Sequence, residues 1–299
     1  MDTRIRRLGT FDLDIVEANP IVFKGKLYLM EYVRNRNDDD TWECGDQSYF
    51  QFLDMSDMKT VSAPFGHGLH MGCAFVKDDH IVVTCVEGWG KGRFYQLESD
   101  DMVTWTEPRV ILENPAWEGY NTSVCEADGR YVMVFELGAP LDIVKEPFTM
   151  FFAESKDLKN WKLIEGALFG QDIYTGAPML RYHNGFFYFF HLEGSYEEGF
   201  VTIVARSKDL RNWEWGKRPV MERSRDDREI LPRAAQKFNQ EQLMKIASAV
   251  NINVSDLDMI DFNGKLRMCY SWGNQRGVEF LSLAEADCTE EQFCESFFN

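Results

Sequence analysis

Apolar and polar positions alternate in short runs along most of the chain, and the runs come in pairs around tight polar turns. "FKGKLYLMEY", "EADGRYVMVFE", "YHNGFFYFFHLE" and "DFNGKLRMCYSW" each place a glycine (Gly25, Gly129, Gly185, Gly264) between two aromatic or β-branched segments. Segments of that composition fit strands. The glycine supplies the positive φ that a tight hairpin turn needs. "VKDDHIVVTCVE" is a fifth copy, with Asp78 and Asp79 in its turn. The early turns recur about every 50 residues, the length of one four-stranded blade. The last interval is longer and holds "FNQEQLMKIASAV", residues 238–250. Its Phe238, Leu243, Ile246, Ala249 and Val250 fall at helical spacing. The pattern predicts an all-β five-bladed β-propeller over residues 1–299, one domain, with one helix inserted between blades four and five. Two packed β-sandwiches would not show this period.

A second repeat supports the first. "ESDDMVTWTE", "ESKDLKNWKL" and "RSKDLRNWEW" begin at residues 98, 154 and 206 and share Ser-x-Asp-(Leu/Met)-x-x-Trp. Ser and Asp side chains tie tight turns through local hydrogen bonds, and the tryptophans are expected to plug the gaps between neighbouring blades. Blade five runs out of strands after "VEFLSLAEA", so the segment around Ile5–Leu8 is expected to complete it. The C-terminal "EEQFCESFF" is expected to form a short helix against the outside.

Charge narrows the partners. Of 299 residues, 49 are Asp or Glu and 32 are Lys or Arg, giving a net charge of −17. Such a surface repels phosphate backbones and anionic membranes, so neither nucleic acid nor membrane is expected as a partner. The seven cysteines include no C-x-x-C, and several lie in apolar runs. That pattern argues against a disulfide framework or zinc site and for a reducing, cytoplasmic setting. So many acidic oxygens leave a calcium site conceivable, but there is no D-x-D-x-D-G loop, and neither a metal nor a cofactor is expected.

"ANPIVFKGKLYLMEY", "NTSVCEADGRYVMVFE", "TGAPMLRYHNGFFYFF" and the S-x-D-L-x-N-W turns together resemble the five-bladed glycosidase superfamily, family 43 glycoside hydrolases (arabinanases and β-xylosidases) above all. The resemblance implies a propeller with an axial sugar pocket and three carboxylates: a base in blade one, a pKa-tuning Asp in blade three and an acid in blade four. Alignment on the hairpin turns sets these at Asn19, Asn121 and Gly176, with Glu17 as the nearest substitute in blade one. None of the three aligned residues is a carboxylate, and an amide cannot take a proton from water near neutral pH. The family mechanism therefore does not transfer residue for residue.

Other carboxylates recur where the second strand of each hairpin ends: Glu31, Glu87, Glu136 and Glu193. In an antiparallel hairpin this end lies beside the start of the first strand. One face of the propeller is thus expected to gather these glutamates with Asn19, Asn121 and the pair Asp256 and Asp258, which alternation would turn to one side. His70 sits in the glycine-rich "GHGLHMG". The resulting expectation is a carbohydrate-active enzyme, a glycoside hydrolase with non-standard carboxylates acting on a sugar or oligosaccharide. Asp256 would be the base and Glu136 or Glu193 the acid. Glu17, Asn19, Glu31, His70, Glu87, Asn121, Tyr174, Asp258, Trp272, Asn274 and Gln275 would bind the sugar, and the segment 222–254 would wall the pocket. The alternative is a catalytically silent carbohydrate-binding propeller. A phosphorylase would need a basic phosphate cradle on the same face.

Overall fold

The computed structural model of the chain describes residues 2–34 and 47–299. Its strands form five four-stranded antiparallel sheets arranged as the blades of a propeller. Blade one is β2 (Ala18–Phe23), β3 (Lys26–Val33), β4 (Tyr49–Asp54) and β5 (Lys59–Thr60). Blade two is β6 (His70–Lys77), β7 (His80–Val86), β8 (Arg93–Ser99) and β9 (Arg109–Glu113). Blade three is β10 (Gly119–Ala127), β11 (Arg130–Leu137), β12 (Thr149–Ser155) and β13 (Lys162–Phe169). Blade four is β14 (Gly176–His183), β15 (Phe186–Ser195), β16 (Gly199–Ser207) and β17 (Glu214–Trp215). Blade five is β18 (Asn253–Phe262), β19 (Lys265–Gly273) and β20 (Glu279–Asp287), and β1 (Asp2–Leu13) pairs antiparallel with β20 as its outer strand. The expected closure is therefore present, and longer than Ile5–Leu8. The C-terminal helix α2 (Glu290–Glu295) lies outside the blades, tied to blade four through His183 and Arg181.

The repeated turns do what their chemistry requires. Each inner hairpin turn has two consecutive residues at positive φ, for instance Lys24–Gly25 at 48° and 75° and Asn184–Gly185 at 52° and 78°. That pairing gives a turn whose twist matches the strands. In the Trp motif, Ser155 Oγ donates to Asp157 Oδ1 at 3.0 Å, and Asp157 Oδ1 accepts from Lys159 N and Asn160 N at 2.9 and 2.8 Å. Trp161 then reaches into the neighbouring blade, where its Nε1 donates to Gln96 Oε1 at 3.1 Å. Trp105 stacks on Phe65 of blade one at 3.8 Å, and Trp213 packs on Phe169 of blade three at 5.1 Å. The tryptophans plug the gaps between blades.

The helix of the insertion, α1 (Gln240–Ser248), lies between blades four and five as expected. Asn239 and Gln242 cap it reciprocally at 2.9 Å, a capping box. Phe238, Ile246 and Ala249 are buried, while Leu243 and Val250 are exposed. Before the helix, buried Asp227 accepts from Arg7 Nε at 2.8 Å, from Tyr270 OH at 2.9 Å and from Asn251 Nδ2 at 2.9 Å. The insertion thus clasps β1 and β19.

Candidate active site

Five equivalent residues surround the mouth of the axial channel. Each inner hairpin closes on a matching pair: Phe23 with Lys26, Lys77 with His80, Ala127 with Arg130, His183 with Phe186 and Phe262 with Lys265. The residues at one fixed distance before these turns are Glu17, Met71, Asn121, Ala177 and Asp256. All five line a single cleft of about 550 Å³. The inner strands of blades two to five are irregular at this level, with register shifts at His70/Cys73, Gly119/Thr122, Gly176/Met179 and Ser255/Asp258. Met71, Ala177 and Asp256 have φ of 49°, 52° and 51°. Bulges of this kind re-aim a side chain, here into the cleft.

Register also decides the fate of the glutamates. At the matching distance after the turns stand Tyr32, Val86, Glu136, Leu192 and Ser271. Glu136 alone of the four glutamates occupies that position. Glu31 lies one residue short of it, and Glu87 and Glu193 lie one residue past it. A shift of one residue turns a strand side chain to the other face, so the expected ring of glutamates does not form. Buried Glu31 accepts from Gln51 Nε2 at 2.8 Å. Burial first and the nearby charge of Asp12 second push it up to about 7. Glu87 is half-exposed and pairs with Arg93 at 3.3 Å. Glu193 lies 3.6 Å from the buried His191, on the face of β15 opposite Leu192.

Glu136 and Asp256 carry the electrostatics of the cleft. Glu136 is buried; its Oε2 accepts from Asn121 Nδ2 at 3.3 Å, and its Oε1 has no hydrogen-bond partner. Burial, and after it the charge of Asp256, push its carboxyl up to about 8. A Cβ placed on Gly176 would come within 3.7 Å of that Oε1, so the unpartnered oxygen lies buried beneath the glycine at the cleft wall. Asp256 Oδ2 accepts from Ser255 Oγ at 2.5 Å and from Ser271 Oγ at 3.0 Å. Burial and then the charge of Glu17 push it up to about 7. Asp256 is packed by protein on most sides yet keeps an edge open to the cleft. Glu17 pairs with Arg34 at 3.7 Å, and its Oε2 is buried without a hydrogen-bond partner. Glu17, which sequence alignment offered only as a substitute for Asn19, is the true blade-one member of the ring.

An aromatic arc forms the opposite wall. Trp89 meets Tyr120 at 6.3 Å, Tyr120 meets Phe148 at 4.6 Å and Phe148 meets Tyr174 at 6.1 Å. Tyr196 also lines the cleft, and its hydroxyl donates to Gln275 O at 3.2 Å. Burial raises the Tyr174 hydroxyl above the usual tyrosine range, and the charge of Glu136 adds to this. Trp89 and Tyr196 are 37% and 51% exposed, and each has a guanidinium over one face, Arg34 on Trp89 at 5.5 Å and Arg276 on Tyr196 at 4.5 Å. Tyr120, Phe148, Tyr196 and Arg276 were not singled out from the sequence. For Tyr120 the signal was adjacency to Asn121; the other three lie in loops whose path the strand period does not fix.

Several expected sugar contacts lie elsewhere. Trp272 is 0% exposed; its Nε1 donates to Thr10 Oγ1 at 2.9 Å and Ser282 Oγ at 3.1 Å, so it is a core residue and offers no face to a sugar. Asn274 Oδ1 accepts from Arg276 N and Val278 N at 2.8 and 3.0 Å, which occupies it in shaping its own loop. His70 is buried against Tyr32 OH at 2.5 Å and Ser48 Oγ at 3.2 Å. Asn19 and Asp258 sit one level deeper, in a narrow part of the channel of about 40 Å³. There Asn19 Nδ2 donates to Ala74 O and Asp258 Oδ2, both at 3.2 Å, and Arg181 bridges Asp258 to Glu290. The bulge at Asp256 separates it in depth from Asp258. Among the described residues, none of the segment 222–254 lines the cleft, because it is drawn against β1 instead. Glu17, Asn121, Glu136, Tyr174, Asp256 and Gln275 are brought together.

Solved carbohydrate-active enzymes share this architecture. A xylan β-1,4-xylosidase from Bacillus halodurans C-125 matches 96% of the chain at 14% identity with a TM-score of 0.63, and the chain spans 55% of it. A family 32 β-fructofuranosidase from Bombyx mori matches 90% of the chain at 13% identity and 0.58, the match covering 59% of that protein. An N-acetylgalactosamine deacetylase from F. plautii, solved with blood group B trisaccharide, matches 95% at 11% identity and 0.60, covering 91% of that protein. The chain therefore spans little more than half the length of the first two. No family model and no curated protein sequence matches it. The chain has a five-bladed propeller fold, the fold it shares with these solved glycoside hydrolases. No helix of the described residues is long and apolar enough to cross a membrane.

Proposed function

We propose that the protein is a carbohydrate-active enzyme that hydrolyses a glycosidic bond in the axial cleft, with Glu136 as general acid and Asp256 as general base. The observation that carries this reading is the pairing of two carboxyl groups with raised pKa in one cleft walled by aromatic rings. Glycoside hydrolysis needs one carboxyl to protonate the leaving oxygen and another to serve as base or nucleophile. Glu136, held up at about 8, keeps its proton at neutral pH, and its buried Oε1 has no hydrogen-bond partner within the protein to hold that proton back. Asp256, made more basic by Glu17, takes the proton of the attacking water. The proton given to the leaving group is thus replaced by one drawn from water, and the sum is addition of water across the bond. Tyr174, Asn121 and Gln275 offer hydrogen bonds to hydroxyls, and Trp89 offers a flat apolar face to a sugar ring.

The catalytically silent reading keeps one observation in its favour. Gly176 stands where the resembling family carries its acid, and Ala177 occupies the ring position beside it. A panel of aryl glycosides and oligosaccharides, assayed with wild type and Asp256→Asn, tests the proposal. Turnover of at least one substrate, lost in the variant while the fold persists, supports it. Sugar binding without turnover across the panel favours the silent propeller.

A further inference from the structure

At the other end of the propeller, where the inner hairpin turns of blades one and five come together, lies a second cavity of about 350 Å³. Its walls are apolar, formed chiefly by Leu8, Leu27, Met55, Phe262, Met268 and Leu283. Its polar border is positive in a protein whose net charge is −17. Lys26, Arg233 and Arg267 all reach it. Arg233 makes no hydrogen bond or ion pair with any described residue. Burial, and after it the like charge of Arg267, hold Arg233 below the usual guanidinium range. Arg267 pairs with Glu285 through Nη1, but its Nε is buried without a partner. Glu285 is shared with Arg6 and Lys265, so it does not neutralise the group. The one acid on the border, Asp54, is engaged by Ser56 N at 2.8 Å and Ser56 Oγ at 2.6 Å.

Two cations crowded against an apolar cavity cost stability unless an anion meets them. A guanidinium fork matches a planar carboxylate, and burial of an alkyl body adds affinity with each methylene. We propose that this cavity binds an amphipathic carboxylate, its apolar body between blades one and five and its carboxylate on Arg233 and the Nε of Arg267. The site lies away from the cleft and shares none of its lining residues, so it stands or falls independently of the hydrolase reading.

Isothermal titration of the full chain with octanoate, and separately with octanol, tests this. The expected result is saturable binding of octanoate at one site, with octanol and the variant Arg233→Met each weaker by about tenfold or more. Arg233 is only partly covered by protein and makes no hydrogen bond or ion pair with a described residue, so the variant is expected to fold, and an unchanged unfolding temperature verifies it. Absence of saturable octanoate binding overturns the proposal. So does octanoate binding that Arg233→Met leaves unchanged, or octanol binding as tight as octanoate.

Discussion

Glu17 and Asp256 occupy equivalent positions on neighbouring blades, and the charge of the first helps hold the carboxyl of the second up to about 7. The relationship predicts the acidic limb of the pH–rate profile. Glu17→Gln removes a like charge, so Asp256 ionises at lower pH. It also releases Arg34, whose charge favours the ionised form of Asp256. The acidic limb of kcat/KM is expected to move down in pH while the basic limb, set by Glu136, stays. A limb that does not move, or moves up, excludes Asp256 as the titrating base.

The wild-type profile should itself be a narrow bell. Base and acid have the required forms together only between about 7, where Asp256 loses its proton, and about 8, where Glu136 loses its own. Initial rates across this range report both limbs. A broad plateau down to the ordinary carboxylate range would assign the chemistry to other groups.

Stability should respond in the opposite sense to catalysis. The folded pKa of Glu136 is raised from 4.5 to about 8. The neutral form favours the fold, so its contribution is complete below 4.5 and is lost as pH rises through 8. Glu136→Gln removes that pH dependence. Relative to wild type at pH 5, the variant is expected to gain about 3–5 kcal/mol by pH 9. Urea unfolding at the two pH values measures the difference.

Two tryptophans that look alike in sequence should behave differently. Trp272→Phe strips hydrogen bonds from Thr10 and Ser282 and is expected to destabilise the fold by about 1–3 kcal/mol, with sugar affinity unchanged. Trp89→Ala, at the cleft mouth, is expected to leave the unfolding temperature nearly unchanged and to weaken oligosaccharide binding roughly tenfold. Thermal unfolding and binding titration on both variants separate the two roles.

The fold was legible because its devices are local. A polar turn before Gly25, Gly129, Gly185 or Gly264 announces a hairpin, and Ser155–Asp157 or Ser207–Asp209 announces the next turn. The site was only half legible because it depends on register. Glu31, Glu87, Glu136 and Glu193 look equivalent as strand ends, yet one residue of offset sends three of them away from the cleft. The bulges at Met71, Ala177 and Asp256 have no pattern in hydrophobicity to reveal them. Asp256 and Glu136 were found because strand starts and ends share a face. Trp272 was misjudged because a tryptophan beside a loop can close a core as readily as it can meet a sugar.

If Glu136 delivers a proton to the leaving group, a leaving group that departs unaided should not need it. Wild type and Glu136→Gln are assayed on two aryl glycosides of the same sugar, one with a poor leaving group and one with a dinitrophenyl group that departs without protonation. The expected result is a loss of about 10²–10⁴-fold on the poor leaving group and little loss on the activated one. Equal losses on both substrates, or a wild type that cleaves neither while binding the sugar, would contradict it.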